Sequence, residues 1–425
     1  MALKAGTAAI DITPPVGVEL CGYGVYLERR STGVLDPLRA RALVLECGGV
    51  QIAIVSCDLI ALMDRTVAEA RRLIEGETGI PGEHVLLGCS HTHAGPVTVE
   101  LRGWGEPEPE YVAILPKYLA GVVSAAAKAL QPARIGAAVS ELPGMGVNRV
   151  EGDQGPLDTG VSVLRVESAA GAPLATVYCL SAHGVSHLPT NTLISADWIG
   201  VASGLIEQMV GGQALFLQGS CGDVNPALVH TGRYVEAGTL AGERVARLVG
   251  GIKCGDEVAI EVATRQVALP LNVTPVAELE QAAGEARERL ASLSPEPETF
   301  SERAMARFEL DWALAAIAMH RRGAPRELWS ELQAIRLGDA LILAHGGELF
   351  CEFGLELKRR FAPRPTFVVG YANGFVGYIP DPEDFARGGY AAAMVPKICN
   401  NFPFTADVGE RVVSGLSDLA AGMGK

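Results

Sequence analysis

The regular alternation of strand-like and helix-like segments is the feature that most constrains the fold of this chain. Short apolar runs rich in β-branched residues predict strands, and segments with apolar residues at helical spacing separate them. The predicted strands are residues 41–47, 51–57, 84–88, 161–166, 174–180, 214–218, 258–267, 332–337, 340–344 and 366–371. The predicted helices are residues 65–75, 110–130, 198–209, 233–248, 276–293, 301–321, 349–360 and 407–421. This mixture predicts an α/β architecture in which helices flank mixed β-sheets and loops at the strand ends carry the chemistry.

Composition and charge exclude several classes of protein. The chain has 425 residues, of which 48% are apolar and 20% charged, and this is ordinary for a globular protein with a large core. Its formal net charge is −14 and basic residues do not cluster, so we expect no nucleic-acid partner. No stretch approaches the roughly 20 apolar residues of a membrane span.

Cysteine usage and the first residues predict a compartment. The nine cysteines form an odd set without a Cys-x-x-Cys pair, and most of them lie in apolar runs, as buried free thiols do. Residues 1–11 contain no apolar segment long enough for a signal peptide. We therefore expect a reduced, cytoplasmic protein.

Two of the eight histidines, His91 and His93, stand two residues apart directly after the apolar run 84–88. On an extended backbone, positions i and i+2 project to the same side. Imidazole is the commonest metal ligand, and Gly95 and Pro96 follow the pair, so the stretch predicts a metal site at a strand end. A pair of polar loop histidines is the alternative interpretation.

Residues 276–331 differ from the rest of the chain. The segment is charged, alanine-rich and helical in pattern, and prolines at 295, 297 and 325 mark its breaks. It predicts a helical pair inserted between two strands of a sheet. A solvated packing hairpin is its simplest role, because charged helix faces usually contact water. A substrate lid and an oligomer contact are the alternatives.

Several short motifs occur in a recognisable order along the chain. They are residues 8–15, 22–24, 90–96, 148–149, 181–184, 219–226 and 346–348. In this order they resemble the catalytic domain of the neutral/alkaline ceramidase family, zinc-dependent amidases that split the N-acyl bond of ceramide. The resemblance runs from about residue 5 to the early 400s. It implies a single catalytic domain over residues 1–425. Residues 276–331, where no motif of the family is matched, would be a helical insertion within it.

The resemblance implies one zinc ion per chain, held by four side chains. By motif match the ligands are His91, His183, Glu348 and Tyr378. Each has a plainer interpretation, since histidines lie at strand ends, carboxylates cap helices and tyrosines pack in cores. His187, four residues after His183, is a competing ligand.

The resemblance also places His93, Arg149 and Tyr390 around the metal. We assign His93 to proton transfer, and Arg149 and Tyr390 to substrate binding and stabilisation of the oxyanion. Zinc in an open site makes water nucleophilic near neutral pH and polarises a carbonyl group.

Residues 219–226 follow a predicted strand and turn sharply. Asn225 stands where the family usually has serine; we assign it and Asp223 to substrate binding, because an amide still donates and accepts hydrogen bonds. Asp223 could also orient a ligand histidine. Asp58 and Asp197 are weaker candidates for that work or for a second metal, since aspartate favours turns and caps on local grounds.

Three departures from the family bear on the substrate, and one is the helical pair at residues 276–331, where no family motif is matched. Typical members are secreted or membrane-facing and carry a β-sandwich domain after the catalytic one, and this sequence shows neither a leader nor such a domain. We therefore expect hydrolysis of an N-acyl or cyclic amide, or of an ester, with ceramide as one substrate among several. The expected partner is a small-molecule or lipid-like amide, and a homo-oligomer is an option.

Two rival functions remain open. A metal-independent hydrolase would use Ser220 or Cys221 as nucleophile, but a nucleophile elbow requires glycine where Gln218 stands. A non-catalytic ligand-binding family member, or a scaffold with structural zinc, is the other rival. Structural zinc sites use cysteine and histidine at short spacing, whereas these candidate ligands are dispersed along the chain and include oxygen donors.

Overall fold

The computed structural model describes residues 2–256 and 258–423. In this part of the chain the strands are β1 (Lys4–Asp11), β2 (Gly33–Val34), β3 (Arg39–Cys47), β4 (Val50–Cys57), β5 (Val85–Cys89), β6 (Gln131–Glu141), β7 (Gly146–Asn148), β8 (Gly160–Ser168), β9 (Pro173–Leu180), β10 (Leu193–Ile194), β11 (Gln213–Gln218), β12 (Val224–Pro226), β13 (Ile260–Pro270), β14 (Glu327–Leu337), β15 (Ala340–His345), β16 (Gly347–Leu349), β17 (Thr366–Val369) and β18 (Gly377–Ile379). The α-helices are α1 (Asp64–Thr78), α2 (Pro109–Lys128), α3 (Asp197–Val210), α4 (Tyr234–Gly251), α5 (Val276–Ser292), α6 (Phe300–Arg321), α7 (Cys351–Phe361), α8 (Pro382–Ala386), α9 (Val395–Ile398) and α10 (Val408–Ala421).

Two sheets form the centre of the molecule. The larger has eight strands in the order β11-β9-β8-β6-β1-β3-β4-β5, and the smaller has the order β13-β14-β15-β17. Antiparallel pairs such as β3 with β4 form the middle of the larger sheet, and parallel pairs lie at its two edges, β4 with β5 and β9 with β11. The smaller sheet likewise ends on a parallel pair, β15 with β17. The predicted α/β architecture with mixed sheets is confirmed.

The two sheets pack face to face, and both faces of the larger sheet are buried. Leu43 and Ile54 of adjacent strands point inward and pack with Ile342 and Phe367 of the smaller sheet. Their neighbours along the strands point the opposite way and pack against α1 and α2. Burial on both faces explains why these strands read as continuous apolar runs. Each fully buried leucine or isoleucine contributes about 1.5–3 kcal/mol relative to exposure.

Helices cover both outer faces. α3 and α4 pack on the larger sheet through Trp198 and Val245, whereas α7 and α10 pack on the smaller sheet through Leu357 and Leu416. α5 and α6 connect β13 to β14, which are adjacent antiparallel strands of the smaller sheet. The helices α5 and α6 lie within the predicted segment 276–331, whose last five residues belong to β14. None of the described helices is both long and apolar enough to cross a bilayer.

The predicted elements differ from the observed ones where tertiary pairing decides. β1 and β6 were not expected, because they carry glycine, alanine and charged residues and gain their order from pairing with β3 and β8. The predicted strand 366–371 ends at Val369, since Tyr371 has a φ of 52°. The predicted helix 349–360 begins only at Cys351, because Leu349 ends the short strand β16.

Candidate metal centre

The predicted site residues lie where strands of both sheets end. β5 ends at Cys89 and β9 at Leu180 in the larger sheet, and β15 ends at His345 in the smaller one. Backbone hydrogen bonds join these ends, since Cys89 donates to the carbonyl of Tyr371 and Ala372 donates to that of His345. Loops from distant parts of the chain thus meet at one place, as predicted.

A short backbone bridge brings the histidine motifs together. Thr92 pairs with Gly184, and the His93 N–H donates to the Gly184 carbonyl at 3.0 Å. A Cβ atom at Gly184 would lie 2.8 Å from the carbonyl oxygen of His91, so only glycine permits this approach. The bridge sets His183 beside His91 and His93.

A second short pairing sets the oxygen donors side by side. β16 and β18 are parallel, and Glu348 lies opposite Tyr378 in their register. Neither strand is long enough to show a strand period in the sequence, so only the family motifs indicated these two residues. The Glu348 side chain is buried and that of Tyr378 is 8% exposed.

The four predicted ligands converge. Glu348 Oε2 lies 3.5 Å from His91 Nε2 and 3.3 Å from His183 Nε2. The Tyr378 hydroxyl oxygen lies 3.3 Å from the same nitrogen of His183. Two ring nitrogens, a carboxylate oxygen and a phenolic oxygen therefore surround one small volume.

The other ring nitrogens show which atoms carry protons. His91 Nδ1 lies 2.8 Å from the carbonyl oxygen of Ile60, and His183 Nδ1 lies 3.0 Å from that of Val224. A carbonyl oxygen only accepts, so each Nδ1 is the protonated nitrogen of its neutral ring. The Nε2 lone pairs then face the Glu348 carboxylate without a proton between them. Such a set of acceptors is stabilised by a cation, which fits a metal ion.

Burial keeps both rings neutral. It lowers the pKa of His91 to about 4, although the nearby Glu348 carboxylate partly opposes this shift. Burial likewise lowers the pKa of His183 to about 3, and the positive charge of Arg149 adds to the effect. Metal ligation requires the neutral ring, so both histidines are prepared for it near pH 7.

His93 belongs to the same cluster. Its Nε2 lies 3.0 Å from His91 Nε2, and its buried Nδ1 has no partner among the described residues. The coordinating atoms of His91, His93 and His183 all lie within 4.8 Å of one another. The sequence assigned His93 to proton transfer, and the structure places it within reach of an ion as well. Burial lowers the pKa of His93 well below its usual value.

The reason why His91 and His93 converge differs from the predicted one. The strand ends at Cys89, and His91 has a φ of 61°, so the pair does not lie on an extended backbone. Their rings nevertheless lie 4.8 Å apart, because the turn and the bridge to the His183 loop redirect them. A Cβ atom at Gly22 would lie 2.4 Å from the His93 ring, so this glycine is also required.

Arg149 and Tyr390 lie on the outer side of the cluster, beside Tyr378. The Arg149 guanidinium donates to the Tyr378 hydroxyl at 2.5 Å and to the Gly222 carbonyl at 2.7 Å. The Tyr390 ring stands edge-on to Tyr378 with centroids 6.2 Å apart, and its side chain is half-exposed. Both predicted residues are thus positioned next to a ligand rather than among the ligands.

The Asp223 carboxylate bonds to buried groups of the protein, and its assignment to substrate binding stays a prediction. Its carboxylate accepts from Asn148 Nδ2 at 2.9 Å and from the Cys351 N–H at 2.7 Å, and it is 2% exposed. It also orients no ligand histidine, because His183 meets the Val224 carbonyl. Asn225 lies in β12, and its buried Oδ1 has no partner among the described residues.

The remaining metal candidates lie in other networks. His187 Nε2 contacts the Ser195 hydroxyl at 3.0 Å. Asp58 pairs with Arg41 at 3.2 Å. Asp197 accepts from the N–H of Trp198 at the start of α3 and from those of Ser186 and His187. None of these three candidate side chains belongs to the cluster of His91, His93 and His183, whose coordinating atoms lie within 4.8 Å of one another.

The arrangement disfavours the metal-independent rival. The Ser220 hydroxyl is buried, and no base within the described chain forms a hydrogen bond with it. The Cys221 thiol contacts the Tyr371 hydroxyl at 3.2 Å, and burial raises its pKa well above the usual value. A nucleophile needs a nearby base or a lowered pKa, and neither is present.

Tyr371 is the site residue that the sequence did not reveal. Its hydroxyl donates to Glu348 Oε2 at 3.0 Å, and its ring lies 4.1 Å from that of His91. Tyr371 follows β17 in the segment Gly-Tyr-Ala-Asn-Gly. Such a composition favours a turn at a strand end, and it is the one sequence feature that could have indicated a site residue here. Tyr371 holds the carboxylate in place.

Comparison with known sequences identifies relatives. The family described as neutral/alkaline non-lysosomal ceramidase, N-terminal, matches residues 3–237, more than half of the chain. Neutral ceramidase A of Dictyostelium discoideum is 31% identical over 260 residues, which cover 52% of this chain and 36% of that protein. Neutral ceramidase B of the same organism is 30% identical over 255 residues, covering 52% and 35%. The matched region thus spans about a third of the length of these curated relatives.

Solved structures share the fold. The crystal structure of neutral ceramidase from Pseudomonas aeruginosa superposes with a TM-score of 0.76 at 19% identity, covering 100% of this chain and 74% of that one. A structure described as ceramidase complexed with C2 gives 0.76 at 18% identity, covering 100% and 75%. Because the family's sequence match covers residues 3–237, more than half of the chain, the protein belongs to the neutral/alkaline non-lysosomal ceramidase family.

Proposed function

We propose that this protein is a zinc-dependent hydrolase that cleaves the amide bond of an N-acyl substrate. The observation that carries the proposal is the convergence of two unprotonated imidazole nitrogens on one carboxylate oxygen, within 3.3 and 3.5 Å. The names of the relatives, neutral ceramidases, support an amide as the substrate.

His91, His183, Glu348 and Tyr378 are the residues that would hold the ion. Two nitrogen and two oxygen donors suit Zn²⁺, and their wide dispersal along the chain is typical of catalytic rather than structural sites. When bound, Zn²⁺ supplies a Lewis acid and makes water nucleophilic near neutral pH.

The residues beside the ligands stabilise the developing charge. The Arg149 guanidinium is permanently charged and fixed by its bonds to Tyr378 and the Gly222 carbonyl. The half-exposed Tyr390 lines a cavity that His91, Glu348 and Tyr378 also line. A preorganised cation and a hydroxyl donor at this place would stabilise the oxyanion of an amide under attack.

His93 would carry the proton. Its ring is neutral, because burial lowers its pKa well below the usual value, and its Nε2 faces the centre of the cluster. A neutral imidazole accepts a proton from the attacking water and returns it to the leaving amine. The low exposure of His91, His183 and Glu348 excludes bulk water and so strengthens the local electrostatic interactions.

Metal removal tests the proposal. Purified protein should contain one equivalent of zinc by mass spectrometry and should hydrolyse at least one member of a panel of N-acyl amino acids, N-acyl sphingoid bases and cyclic amides. Chelation should abolish turnover, zinc should restore it, and His91→Ala should lose both metal and activity. Chelator-resistant turnover would instead support a serine or cysteine hydrolase.

A second comparison separates an enzyme from a ligand-binding scaffold. Arg149→Met should retain one zinc and the wild-type melting temperature, yet lose about 10²–10³-fold in kcat/KM, because it removes a charge beside the reacting carbonyl. Arg233→Met, at an exposed position before α4, is the matched control and should retain full activity. Wild-type turnover in Arg149→Met would contradict the assigned role.

A further inference from the structure

The turn that carries Arg149 is built around the side chain of Asn148. Asn148 is the last residue of β7, lies opposite Val224 of β12 and is 5% exposed. Its Oδ1 accepts from the N–H groups of Val150 and Glu151, each at 2.9 Å. One side-chain oxygen therefore closes the turn directly after Arg149 and fixes the direction in which the arginine leaves the backbone.

The amide nitrogen of Asn148 is bonded as completely as its oxygen. Nδ2 donates to the Pro156 carbonyl and to Asp223 Oδ2, both at 2.9 Å. An asparagine amide has two donor hydrogens and two acceptor lone pairs, so this side chain uses all four positions. A Cβ atom at Gly155 would lie 2.5 Å from the amide carbon of Asn148, so the chain also packs closely against the amide. The Asn148 side chain is thus fixed from every side.

Asp223 connects this turn to the segment that follows Glu348. Its Oδ1 accepts from the Cys351 N–H at 2.7 Å, at the start of α7, and its backbone carbonyl accepts from the Arg149 N–H at 2.8 Å. Burial raises the pKa of Asp223 to about 6, so near pH 7 the carboxylate is ionised and acts only as an acceptor. The contact between Asn148 and Asp223 therefore holds the turn at a set place relative to the predicted ligand Glu348.

The Arg149 guanidinium depends on this turn for its position. Its Nη2 donates to the Tyr378 hydroxyl and to the carbonyl of Gly222, the residue before Asp223. A displacement of about 1 Å at a reacting group can cost about 10²-fold in rate. A cation that stabilises an oxyanion must therefore be held as firmly as the metal ligands are.

We propose that Asn148 is a positioning residue, which together with Asp223 fixes the turn and so directs the Arg149 guanidinium at the carbonyl oxygen of the substrate. The inference rests on the proposed amidase function and adds to it the residue that sets up the oxyanion site. Asn148 acts through Arg149, so its replacement should matter only while Arg149 is present.

Asn148→Asp tests the inference with little change of shape. The substituted carboxylate still accepts from the turn, but it cannot donate to Pro156 or Asp223, and it places a second negative charge beside Asp223. With Arg149 present, the variant should keep one zinc and lose about 10²-fold in kcat at nearly unchanged KM. Combined with Arg149→Met, the same substitution should cost about 2-fold or less, because residues that act as one unit are not additive.

Asn191→Asp is the matched control. The Asn191 amide also bonds to the backbone of its own turn, donating to the Leu193 carbonyl at 2.7 Å and accepting from its N–H at 3.2 Å. This turn does not carry Arg149, so the control should leave kcat/KM unchanged.

The outcomes separate the inference from the proposed function. Wild-type kcat in Asn148→Asp, or a loss that is equally large with and without Arg149, would overturn the positioning role while the amidase function stands. Zinc-loaded wild type that hydrolyses no member of the amide panel would remove the function itself. Should Asn148→Asp fail to fold, Asn148→Ser, whose hydroxyl still accepts from the turn, is measured in the same two backgrounds and decides by the same comparison.

Discussion

At the scale of single residues, two backbone carbonyls decide what the ligand histidines can do. The carbonyl oxygens of Ile60 and Val224 accept from Nδ1 of His91 and His183, so each ring directs an unprotonated Nε2 at Glu348. A sequence motif does not predict these hydrogen bonds to Nδ1, because Ile60 and Val224 lie far from the histidines in the sequence. The motifs identified the candidate ligands, and the surrounding carbonyl groups leave their Nε2 atoms free to bind a metal ion.

Tyr371→Phe should weaken zinc binding. The substitution removes one hydroxyl, which donates to Glu348 Oε2 at 3.0 Å, and leaves the packed ring in place. Loss of a partner that orients a ligand typically reduces metal affinity by about 10–100-fold. Competition titration with a chromogenic chelator measures this. Tyr111→Phe is the control, because it removes an equally buried hydroxyl that contacts the Ile12 carbonyl. Equal affinities of the three proteins would contradict the role of Tyr371.

His345 should make the metal-free protein less stable in acid. Burial lowers the pKa of His345 to about 4 in the folded state, below the unfolded value of about 6.5. Between these values the unfolded chain binds the extra proton, so stability falls as pH drops through this window and becomes constant below it. The single group accounts for about 3 kcal/mol across the window.

His345→Gln should remove this contribution to the pH dependence. Urea unfolding of the metal-free variant and wild type at a series of pH values provides the comparison, and the variant should show the smaller slope between pH about 6.5 and 4. His84→Gln, at a half-buried position before β5, serves as control. A variant that loses stability with the same slope as the wild type would show that His345 is not kept neutral by burial.

At the scale of elements, the connection between β17 and β18 determines the site more than any regular strand does. It carries Tyr371 at its start and leads to Tyr378, and its backbone has positive φ at Tyr371 (52°) and Asn373 (60°). The Asn373 side chain accepts from the Leu87 N–H at 2.9 Å and donates to Gln333 at 2.9 Å. Both sheets thus hold this loop.

Asn373→Ala should destabilise the fold by about 3 kcal/mol, because it leaves buried partners unpaired and places a Cβ in the left-handed region. Asn373→Gly loses the same hydrogen bonds without that backbone strain, so it should be about 1 kcal/mol less destabilising. Urea unfolding of both variants measures the difference in their free energies of unfolding. If glycine were no better than alanine, backbone strain at this position would not contribute.

Clear apolar periodicity predicted the long helices and strands. The strands that the sequence did not predict form through pairing with distant strands. The strand β4 and helix α6 were found nearly to their ends because their apolar periodicity is clear. β6 lacks such a pattern and depends on β8 for its hydrogen bonds. The three-residue strands β16 and β18, which align Glu348 with Tyr378, are too short to give any periodic signal.

At the scale of the whole molecule, the site exists because two sheets pack with their strand ends together. His91 and His183 follow strands of the larger sheet. Glu348 and Tyr378 lie in the short pair β16 and β18, which comes after β15 and β17 of the smaller sheet. Residues up to 287 positions apart in the sequence (378 − 91) are therefore close in space. No local sequence pattern predicts this proximity. The family resemblance supplied it, since the order of the motifs carries information about the fold that no single motif contains.

The central claim is that this packing creates one metal site from ligands that follow strands of both sheets. Anomalous diffraction at the zinc edge from crystals of zinc-loaded protein tests it most directly. The account predicts one peak per chain, at about 2.0–2.2 Å from Nε2 of His91 and His183 and from oxygens of Glu348 and Tyr378. A zinc-loaded crystal with no peak there, or with an ion that contacts neither His183 nor Glu348, would contradict it.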